Sequence, residues 1–407
     1  MEKREFDVLI IGAGPAGTTC AMELGASGLS VAILDKSVFP RDKICGDALS
    51  VDVVKQLSML PGDLGQGFLE FSTKVASYGV RIFAPDCHHI DIPFVDGGSE
   101  KCGYLCPRID FDNILLEHVR QFENVTIFED CHVKEITTLK DCVNVNTSQG
   151  TFTSQLIAGA DGAQSMVARQ LGSFKPDRDH YSAGLRIYYE GVSSFHTEQF
   201  IELYFLKDIL PGYLWIFPLP FNRANVGIGM LSSVVSKKKI NLKVILKEFL
   251  TSHPHLKERF QHAKPLETIK GYGLPLGSKK RKISGDRFLL LGDAASLIDP
   301  FTGEGIGNAI RSGRVAAKHI IKGFERRDFL HDFNTEYDRE IYRRMWPELR
   351  LSHALQRLCR YPVLFNFIVR KANQSKYIHH LLIDALAHAE KKRSLLQPSF
   401  YYSLLFK

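Results

Sequence analysis

Two glycine-rich segments carry the residues that could grip a large phosphate-containing ligand, and 280 positions separate Gly12 from Gly292. Glycine allows tight turns and lets backbone N–H groups approach phosphate oxygens, where a helix N-terminus adds positive charge. The two segments together predict one long ligand held at both ends. The first contributes Gly12, Gly14, Pro15, Ala16 and Gly17, and the second contributes Gly292, Asp293, Pro300, Gly303, Gly305 and Ile306.

The elements that must position the first segment can be predicted from the residues around it. A continuous apolar run at 6–11 indicates a strand buried on both faces, and a helical pattern begins directly after the glycines. A second apolar run ends at Asp35, eighteen residues after Gly17 and next to Lys36, where a carboxylate could accept hydrogen bonds from a ribose. This strand, turn and helix predict a binding site for the ADP part of a cofactor, and both NAD and FAD contain that part.

Composition limits the class of protein. With 407 residues, of which 44% are hydrophobic and 24% charged, the chain is typical of a globular protein of two or three lobes. No run of eighteen apolar residues appears and the first strand starts near residue 1, so we expect a cytoplasmic protein. The eight cysteines are scattered, and the close pair Cys102 and Cys106 lacks a second pair, so no metal site is predicted.

The net charge of +7 is concentrated in the C-terminal fifth of the chain, where residues 331–407 hold 13 Lys/Arg and 7 Asp/Glu. No nucleic-acid motif accompanies this charge, so no nucleic-acid partner is expected. Apolar residues from Tyr377 to Ala389 fall on one helical face ahead of Lys391, Lys392 and Arg393. Such a helix either covers its own core or lies on an anionic membrane.

The order of the patterns predicts an α/β fold whose cofactor lobe is discontinuous. Apolar strands return to that lobe at 156–162 and at 287–293, while the residues between them alternate as antiparallel strands do. We expect a Rossmann-like lobe, an inserted antiparallel sheet that binds substrate, and a helical C-terminal region. Their predicted ranges are 1–74, 103–172 and 268–330 for the first, 75–102 and 173–267 for the second, and 331–407 for the third.

Three segments in this order resemble the FAD-dependent para-hydroxybenzoate hydroxylase-like superfamily: the glycine motif at 12–17, Asp161-Gly162, and Gly292-Asp293. The resemblance implies FAD, with Asp35 at the adenosine ribose, Asp161 and Gly162 near the pyrophosphate, and Asp293 at the ribityl chain. The helix that follows Gly305 would place its positive end at the flavin ring. Arg41 and Arg108 are candidate contacts to phosphate or flavin, or else ordinary surface arginines.

A further pattern resembles the geranylgeranyl reductase family, whose members hydrogenate double bonds of prenyl chains. It comprises Pro211, Tyr213, Trp215, Phe217 and Pro218, then Gly227 and Gly229, with a cysteine-bearing loop at 39–47. The resemblance implies that residues 213–218, Gly227 and Gly229 form the wall of an apolar substrate cavity. The alternative is that the three aromatic rings, which share one face of a strand, are simple core.

The same loop supplies a candidate catalytic residue. Reduction of an alkene needs a hydride from flavin N5 and a proton for the other carbon. Cys45, with Gly46 beside it at the flavin, is the residue we place near the proton path, although a cysteine is also a common buried residue. Since no second dinucleotide motif occurs, the reductant is either transiently bound NAD(P)H or a partner protein.

Rival activities share the same FAD motifs. One is a monooxygenase that hydroxylates an aromatic or polyketide-like substrate through a flavin C4a-hydroperoxide. A second is a flavin halogenase, for which Lys74 stands in unsuitable surroundings, and a third is a prenyl-lipid carrier without catalysis. The Gly292-Asp293 pair disfavours the carrier, because a protein that had lost its flavin would not need it.

Overall fold

The computed structural model describes residues 3–96, 99–172, 174–387, 395 and 397. Its central sheet has six strands, of which the first five run parallel and the last pairs antiparallel with its neighbour. Every residue of Val8–Ile11 and Val31–Leu34 is buried, as expected for strands covered by helices on both faces. The spatial order is Val125–Phe128, Val31–Leu34, Val8–Ile11, Leu156–Gly159, Phe288–Leu290 and Ser284–Gly285.

Three helices hold this sheet and the segments that follow its strands. The helix Pro15–Gly25 packs against both Arg108–Val119 and Ile306–Arg326. The crossing with Ile306–Arg326 is close, because a Cβ atom at Gly313 would lie 2.5 Å from the carbonyl oxygen of Ala16. The apolar strands and this helix order confirm the predicted α/β class with a Rossmann-like lobe.

A second, larger sheet of eight strands forms from the segments between the returns to the central sheet. Seven strands follow the order Lys264–Pro265, Tyr181–Glu190, Arg223–Leu231, Tyr213–Leu219, Ile201–Tyr204, Gly79–Phe83 and His89–Pro93. All these neighbours pair antiparallel except Ile201–Tyr204 with Gly79–Phe83. The eighth strand, Lys270–Pro275, pairs with Tyr181–Glu190, so this sheet extends beyond the boundary predicted at residue 267.

Three small sheets accompany the two large ones in the described part of the chain. One contains the hairpin Val133–Thr138 and Val143–Thr147, extended by Gly150–Ser154 and Lys3–Glu5. Another joins Ala48–Leu49, Gly103–Leu105 and Val75–Ser77, so it ties the cysteine-bearing loop to the start of the inserted segment. A two-stranded ladder pairs Val95–Asp96 with Ser99–Glu100.

Two of the remaining helices are separated by a proline. The chain forms Leu242–Ser252 and then Pro254–Phe260, because proline cannot continue a helix and starts a new one instead. The other helices are Val51–Leu57, Leu64–Glu70, Met166–Gln170, Ser232–Lys238, His331–Leu358, Pro362–Gln374 and Lys376–Ala387.

The last helix packs against the larger sheet. Ile378 and Leu382 are buried in one apolar cluster with Ile82 and Ile90, whereas Tyr377 is half exposed. The predicted apolar face therefore covers core in its described part, and Lys391, Lys392 and Arg393 lie outside the described residues. No helix in the described part of the chain is both long enough and apolar enough to span a membrane.

Candidate functional site

A cavity of about 1030 Å³ opens between the central and the larger sheet. Gly12 and Asp161 line it from the central sheet, Trp215 lines it from the larger sheet, and Cys45 and Glu304 lie on the loops between them. Ligand sites of proteins commonly occupy such clefts between lobes. Its size, at the upper end of the range for a single drug-sized ligand, allows a cofactor and a substrate to lie side by side.

The first glycine segment is shaped as the spacing predicts. Gly12 has φ +103°, and a Cβ atom there would lie 2.5 Å from the carbonyl oxygen of Ala160. By contrast, a Cβ at Gly14 would have only one Arg41 nitrogen within 4.0 Å, which leaves backbone open to a ligand. Pro15 and Ala16 begin the helix at the cavity wall. The loop thus presents a helix N-terminus, the arrangement that suits a phosphate group.

Asp35 holds this loop in place. Its buried carboxylate accepts hydrogen bonds from the backbone N–H groups of Ala13, at 2.7 Å, and Ser37, at 2.8 Å. Asp35 and Lys36 both line the cavity. Each carboxylate oxygen retains a lone pair for a further donor.

Asp161 offers a hydrogen-bond acceptor at the cavity wall. Its Oδ2 atom accepts from the backbone N–H of Met166 at 2.6 Å and of Val167 at 3.3 Å, while its buried Oδ1 atom has no hydrogen-bond partner among the described residues. Burial raises the pKa of Asp161. Because an orphaned buried oxygen is costly, this atom fits a ligand that donates a hydrogen bond from within the cavity. Gly162 lines the wall beside it.

The second glycine segment reaches the cavity through some of its residues. Asp293 lies on the wall with Lys43 Nζ at 3.7 Å, and Gly303, Gly305 and Ile306 lead into the helix Ile306–Arg326. Gly305 is the residue that caps this helix, so its N-terminus faces the cavity. Gly303 adopts φ +72°, the left-handed region that favours glycine.

Some predicted residues support the wall without reaching it. A Cβ atom at Gly227 would lie 2.0 Å from Trp215, so this glycine makes room for the indole ring. Gly292 donates its N–H to Ser312 Oγ at 2.9 Å, and the carbonyl of Pro300 accepts from Gln356 Nε2 at 2.6 Å. The predicted residues that the structure does not place at the cavity wall are Gly17, Pro218, Gly227, Gly229, Gly292 and Pro300.

Arg41 and Arg108 share one buried carboxylate. Arg108 donates two hydrogen bonds to Asp112, at 2.6 and 2.7 Å, and Arg41 Nη1 lies 2.5 Å from the same group. Burial disfavours the charge of Arg108, but Asp112 and then Cys45 outweigh it and raise the pKa of the guanidinium. Arg108 is buried at the cavity wall, so it is not an ordinary surface arginine.

The aromatic residues of Tyr213–Leu219 face the cavity as a row. The ring centroids of Tyr213 and Trp215, and those of Trp215 and Phe217, are each 6.3 Å apart. Trp215 and Phe217 are buried, and Tyr213 donates its hydroxyl hydrogen to the carbonyl of Thr302 near the second glycine segment. These rings therefore form a wall that extends from the cysteine-bearing loop to that segment.

A hydrogen-bonded hub that sequence reasoning missed joins this wall to the loop. Asn225 Nδ2 donates to the carbonyl of Cys45 and to Asp47 Oδ2, both at 2.7 Å, and Asn225 Oδ1 accepts from Trp215 Nε1 at 2.8 Å. Tyr188 also donates to Asp47 Oδ2, at 2.6 Å. Burial raises the pKa of Asp47 to about 6, against the opposing effect of these hydrogen bonds. The sequence did contain one indication of this hub, because Asn225 is a polar residue in an otherwise apolar strand and a buried polar side chain needs hydrogen-bond partners.

Comparison with known proteins places this geometry in a family. Residues 5–208 match the model described as FAD binding domain, and residues 182–272 match that of the geranylgeranyl reductase catalytic domain. Digeranylgeranylglycerophospholipid reductase of Methanosarcina acetivorans is 29% identical over 357 residues, 84% of this chain and 81% of the relative. Menaquinone reductase of Mycolicibacterium smegmatis is 28% identical over 327 residues, 78% of this chain and 76% of the relative.

Solved structures share the fold. A geranylgeranyl bacteriochlorophyll reductase-like protein from Thermoplasma acidophilum superposes with a TM-score of 0.78 at 23% identity and covers 91% of each chain. The halogenase PltM in complex with phloroglucinol and FAD gives 0.73 at 18% identity, over 98% of this chain and 90% of that one. The fold alone therefore does not separate reductases from halogenases.

The two kinds of match agree with the cavity. The matched FAD binding domain spans the glycine loop, Asp35 and Asp161, where the open backbone and the orphaned acceptor fit such a cofactor. The matched catalytic domain spans the aromatic row and Asn225. The chain belongs to the FAD-binding-domain family and is an FAD-dependent oxidoreductase that resembles the geranylgeranyl reductases.

Proposed function

We propose that this protein hydrogenates carbon–carbon double bonds of a prenyl chain or a comparably apolar substrate. The observation that carries the proposal is the row of aromatic rings on Tyr213–Leu219, which shares one cavity with the glycine loop and with Cys45. When bound, FAD supplies the two-electron hydride chemistry of such a reduction. The names of the two relatives, reductases of a digeranylgeranyl phospholipid and of menaquinone, support a prenyl substrate.

The residues that would hold FAD follow from the cavity wall. We assign the ADP half to the loop from Gly12 to Ala16, with Asp35 at the ribose. The orphaned Oδ1 of Asp161 would accept a hydrogen bond from the cofactor, and Asp293 would do so further along the wall. The helix N-terminus after Gly305 would stabilise negative charge at the flavin ring.

The substrate half of the wall is apolar. Side chains of the larger sheet extend the cavity away from the glycine loop, and they include Val80, Ile82, Ile92, Ile201 and Leu203. Such walls bind a hydrocarbon chain by burying it and exclude water from the reacting carbons. Together with Trp215 and Phe217 they favour an unfunctionalised chain over a polar substrate.

A halogenase is less well supported by the geometry. Lys74, the lysine weighed for that role, donates from Nζ to the carbonyl oxygens of Leu69 and Phe71. It is not among the residues of the cavity wall. A monooxygenase remains the alternative that experiment must exclude, since the same cofactor supports it.

The test is anaerobic reduction of the bound flavin, followed by separate mixing with prenyl lipids and with oxygen. We expect a prenyl alkene to reoxidise the flavin without oxygen and to yield the hydrogenated chain. Failure of every alkene to reoxidise the flavin without oxygen, together with a hydroxylated product when lipid and oxygen are both supplied, would overturn the proposal in favour of a monooxygenase. A purified protein that takes up no FAD would instead indicate a lipid carrier.

We further propose that NAD(P)H or a protein partner reduces the flavin. A separate proposal is that the basic C-terminal region touches the membrane that holds such a lipid. Membrane contact is proposed because residues 331–407 carry a net positive charge. Flotation with anionic and neutral liposomes tests it. Binding to anionic vesicles that salt reverses is expected, and equal recovery without binding to either kind contradicts it.

A further inference from the structure

Glu304 brings an ionisable side chain to the cavity wall close to the proposed reaction centre. It stands between Gly303 and Gly305, directly before the helix Ile306–Arg326, and is partly buried. Ser50 Oγ donates a hydrogen bond to Glu304 Oε1 at 2.6 Å, and Ser50 also lines the cavity. Glu304 is therefore fixed on the same wall as Cys45.

A second carboxylate links Glu304 to the surface. A Cβ atom at Gly307 would lie 3.0 Å from both Glu304 Oε1 and Asp52 Oδ2, so both carboxylates lie beside this glycine, and the charge of Asp52 acts on Glu304. The Asp52 side chain is 33% exposed and binds Arg311 at 2.6 Å. Arg311 in turn lies 3.7 Å from Glu348, which is 50% exposed. The described residues thus connect the cavity to bulk water through ionisable groups.

The surroundings of Glu304 favour its protonated form. Burial raises the pKa of Glu304, and the carboxylates of Asp52 and Asp299 raise it further. The hydrogen bond from Ser50 and the charge of Arg311 act in the opposite direction but do not cancel these effects. Close to neutral pH, Glu304 consequently holds a proton more often than an exposed glutamate does.

We propose that Glu304 is a catalytic acid, which donates the proton that completes reduction of the double bond, and that Asp52 returns a proton to it from solvent. This inference rests on the proposed function. As a hydride from the reduced flavin adds to one alkene carbon, the π bond breaks and the other carbon takes the proton of the Glu304 carboxyl group. The flavin is left oxidised and Glu304 is left as a carboxylate, which water reprotonates through Asp52.

Single-turnover reoxidation of the reduced holoenzyme by a prenyl alkene tests the assignment. Glu304→Gln keeps the shape but cannot supply the proton, so we expect the rate to fall about 10²-fold or more, in the range of general acid catalysis. Reoxidation by oxygen and the FAD content should stay at wild-type values. Glu325→Gln, at an exposed glutamate of the helix that follows Glu304, is the matched control and should react as the wild type does.

The pH dependence separates a proton donor from a structural role. In the wild type, the rate of flavin reoxidation by the alkene should fall as pH rises through the pKa of Glu304, because the ionised carboxylate has no proton to donate. In Ser50→Ala the hydrogen bond that favours the carboxylate is lost, so the same fall should shift to higher pH. Infrared difference spectra of the wild type minus Glu304→Gln, recorded without cofactor over a range of pH, give a second readout. We expect a protonated carboxyl band that belongs to Glu304 and that persists to higher pH than the band of an exposed glutamate does.

The outcomes distinguish this inference from the proposed function. If no prenyl alkene reoxidises the wild-type flavin, the proposed function fails and the role of Glu304 fails with it. If the wild type reacts and a folded, FAD-containing Glu304→Gln variant reacts equally fast, only the assignment of Glu304 is overturned. If that variant does not fold, an unchanged pH profile in Ser50→Ala overturns it independently.

Discussion

At the scale of single residues, the Oδ1 atom of Asp161, which has no partner among the described residues, is the acceptor that best fits a bound cofactor. Asp161→Asn keeps an oxygen for the backbone N–H groups of Met166 and Val167 but turns an NH2 group toward the cavity. A hydrogen-bond acceptor is thereby replaced by a donor. We expect FAD to bind about tenfold to a hundredfold more weakly, which corresponds to the cost of about 1–3 kcal/mol for a buried polar group left unpaired.

Flavin fluorescence titration of the apoprotein measures this change. Asp63→Asn makes the same substitution at an exposed helix start where the side chain forms no capping bond, and it should leave the dissociation constant unchanged. Equal affinity of Asp161→Asn and the wild type would remove Asp161 from the cofactor site.

Cys45 is a second residue whose role can be isolated. It lies partly buried on the cavity wall, and its carbonyl is fixed by Asn225. Since only the backbone takes part in that bond, Cys45→Ser and Cys45→Ala should retain FAD while alkene turnover falls about tenfold to a hundredfold, because the thiol lies on the cavity wall where the substrate must be positioned. Steady-state assays at matched flavin content measure this. Unchanged turnover in both variants would exclude the thiol from the mechanism.

At the scale of elements, Asn225 couples the strand of aromatic rings to the cysteine-bearing loop. Asn225→Ala leaves Trp215 Nε1 and the Cys45 carbonyl without their partner. Because both sides of the substrate cavity then lose a fixed position, we expect turnover to fall about tenfold to a hundredfold. FAD content should remain, since the glycine loop is untouched.

The measurement is kcat and KM at saturating FAD, together with the thermal midpoint. Asn146→Ala is the control, at an exposed asparagine of the strand Val143–Thr147 that is not itself among the residues of the cavity wall. If Asn225→Ala loses stability but keeps kcat and KM, the hub is merely structural.

The elements also show what sequence could and could not predict. Continuous apolar runs predicted the parallel strands such as Val8–Ile11, because only a strand covered on both faces needs them. The contact between Asn225 and Cys45 spans 180 residues, and no local pattern encodes it. The strand Lys270–Pro275 was placed in the wrong lobe for a related reason, since the sheet it joins depends on tertiary pairing.

At the scale of the whole molecule, charged side chains join the two lobes. Arg186 of the larger sheet is fully buried and binds Asp42 of the cysteine-bearing loop at 2.6 Å and Glu267 at 3.1 Å. Its guanidinium also stacks on the Tyr188 ring, 3.9 Å from the centroid. Tyr188 donates to Asp47, so the ionic contacts and the hub form one junction beside the cavity.

The ionisation of Asp47 should make the stability of this junction depend on pH. Its pKa rises from 3.8 to about 6 on folding, chiefly through burial, so the protonated form favours the folded state. That contribution is fully present below pH 3.8 and is lost as pH rises through about 6. By linkage, the free energy of unfolding should lose about 1 kcal/mol from this group between roughly pH 5 and pH 7.5.

Comparison of the wild type with Asp47→Asn by urea unfolding at both pH values tests this prediction. Asparagine tolerates the φ of +65° at this position and cannot ionise, so the variant should lose about 1 kcal/mol less than the wild type over that interval. Subtracting the pH-dependent change in the free energy of unfolding of the variant from that of the wild type removes the contribution of the titratable groups that both proteins contain. If the free energy of unfolding falls equally in the wild type and in Asp47→Asn, Asp47 titrates as an ordinary carboxylate. The charge of Asp47 at neutral pH would then not destabilise the folded protein.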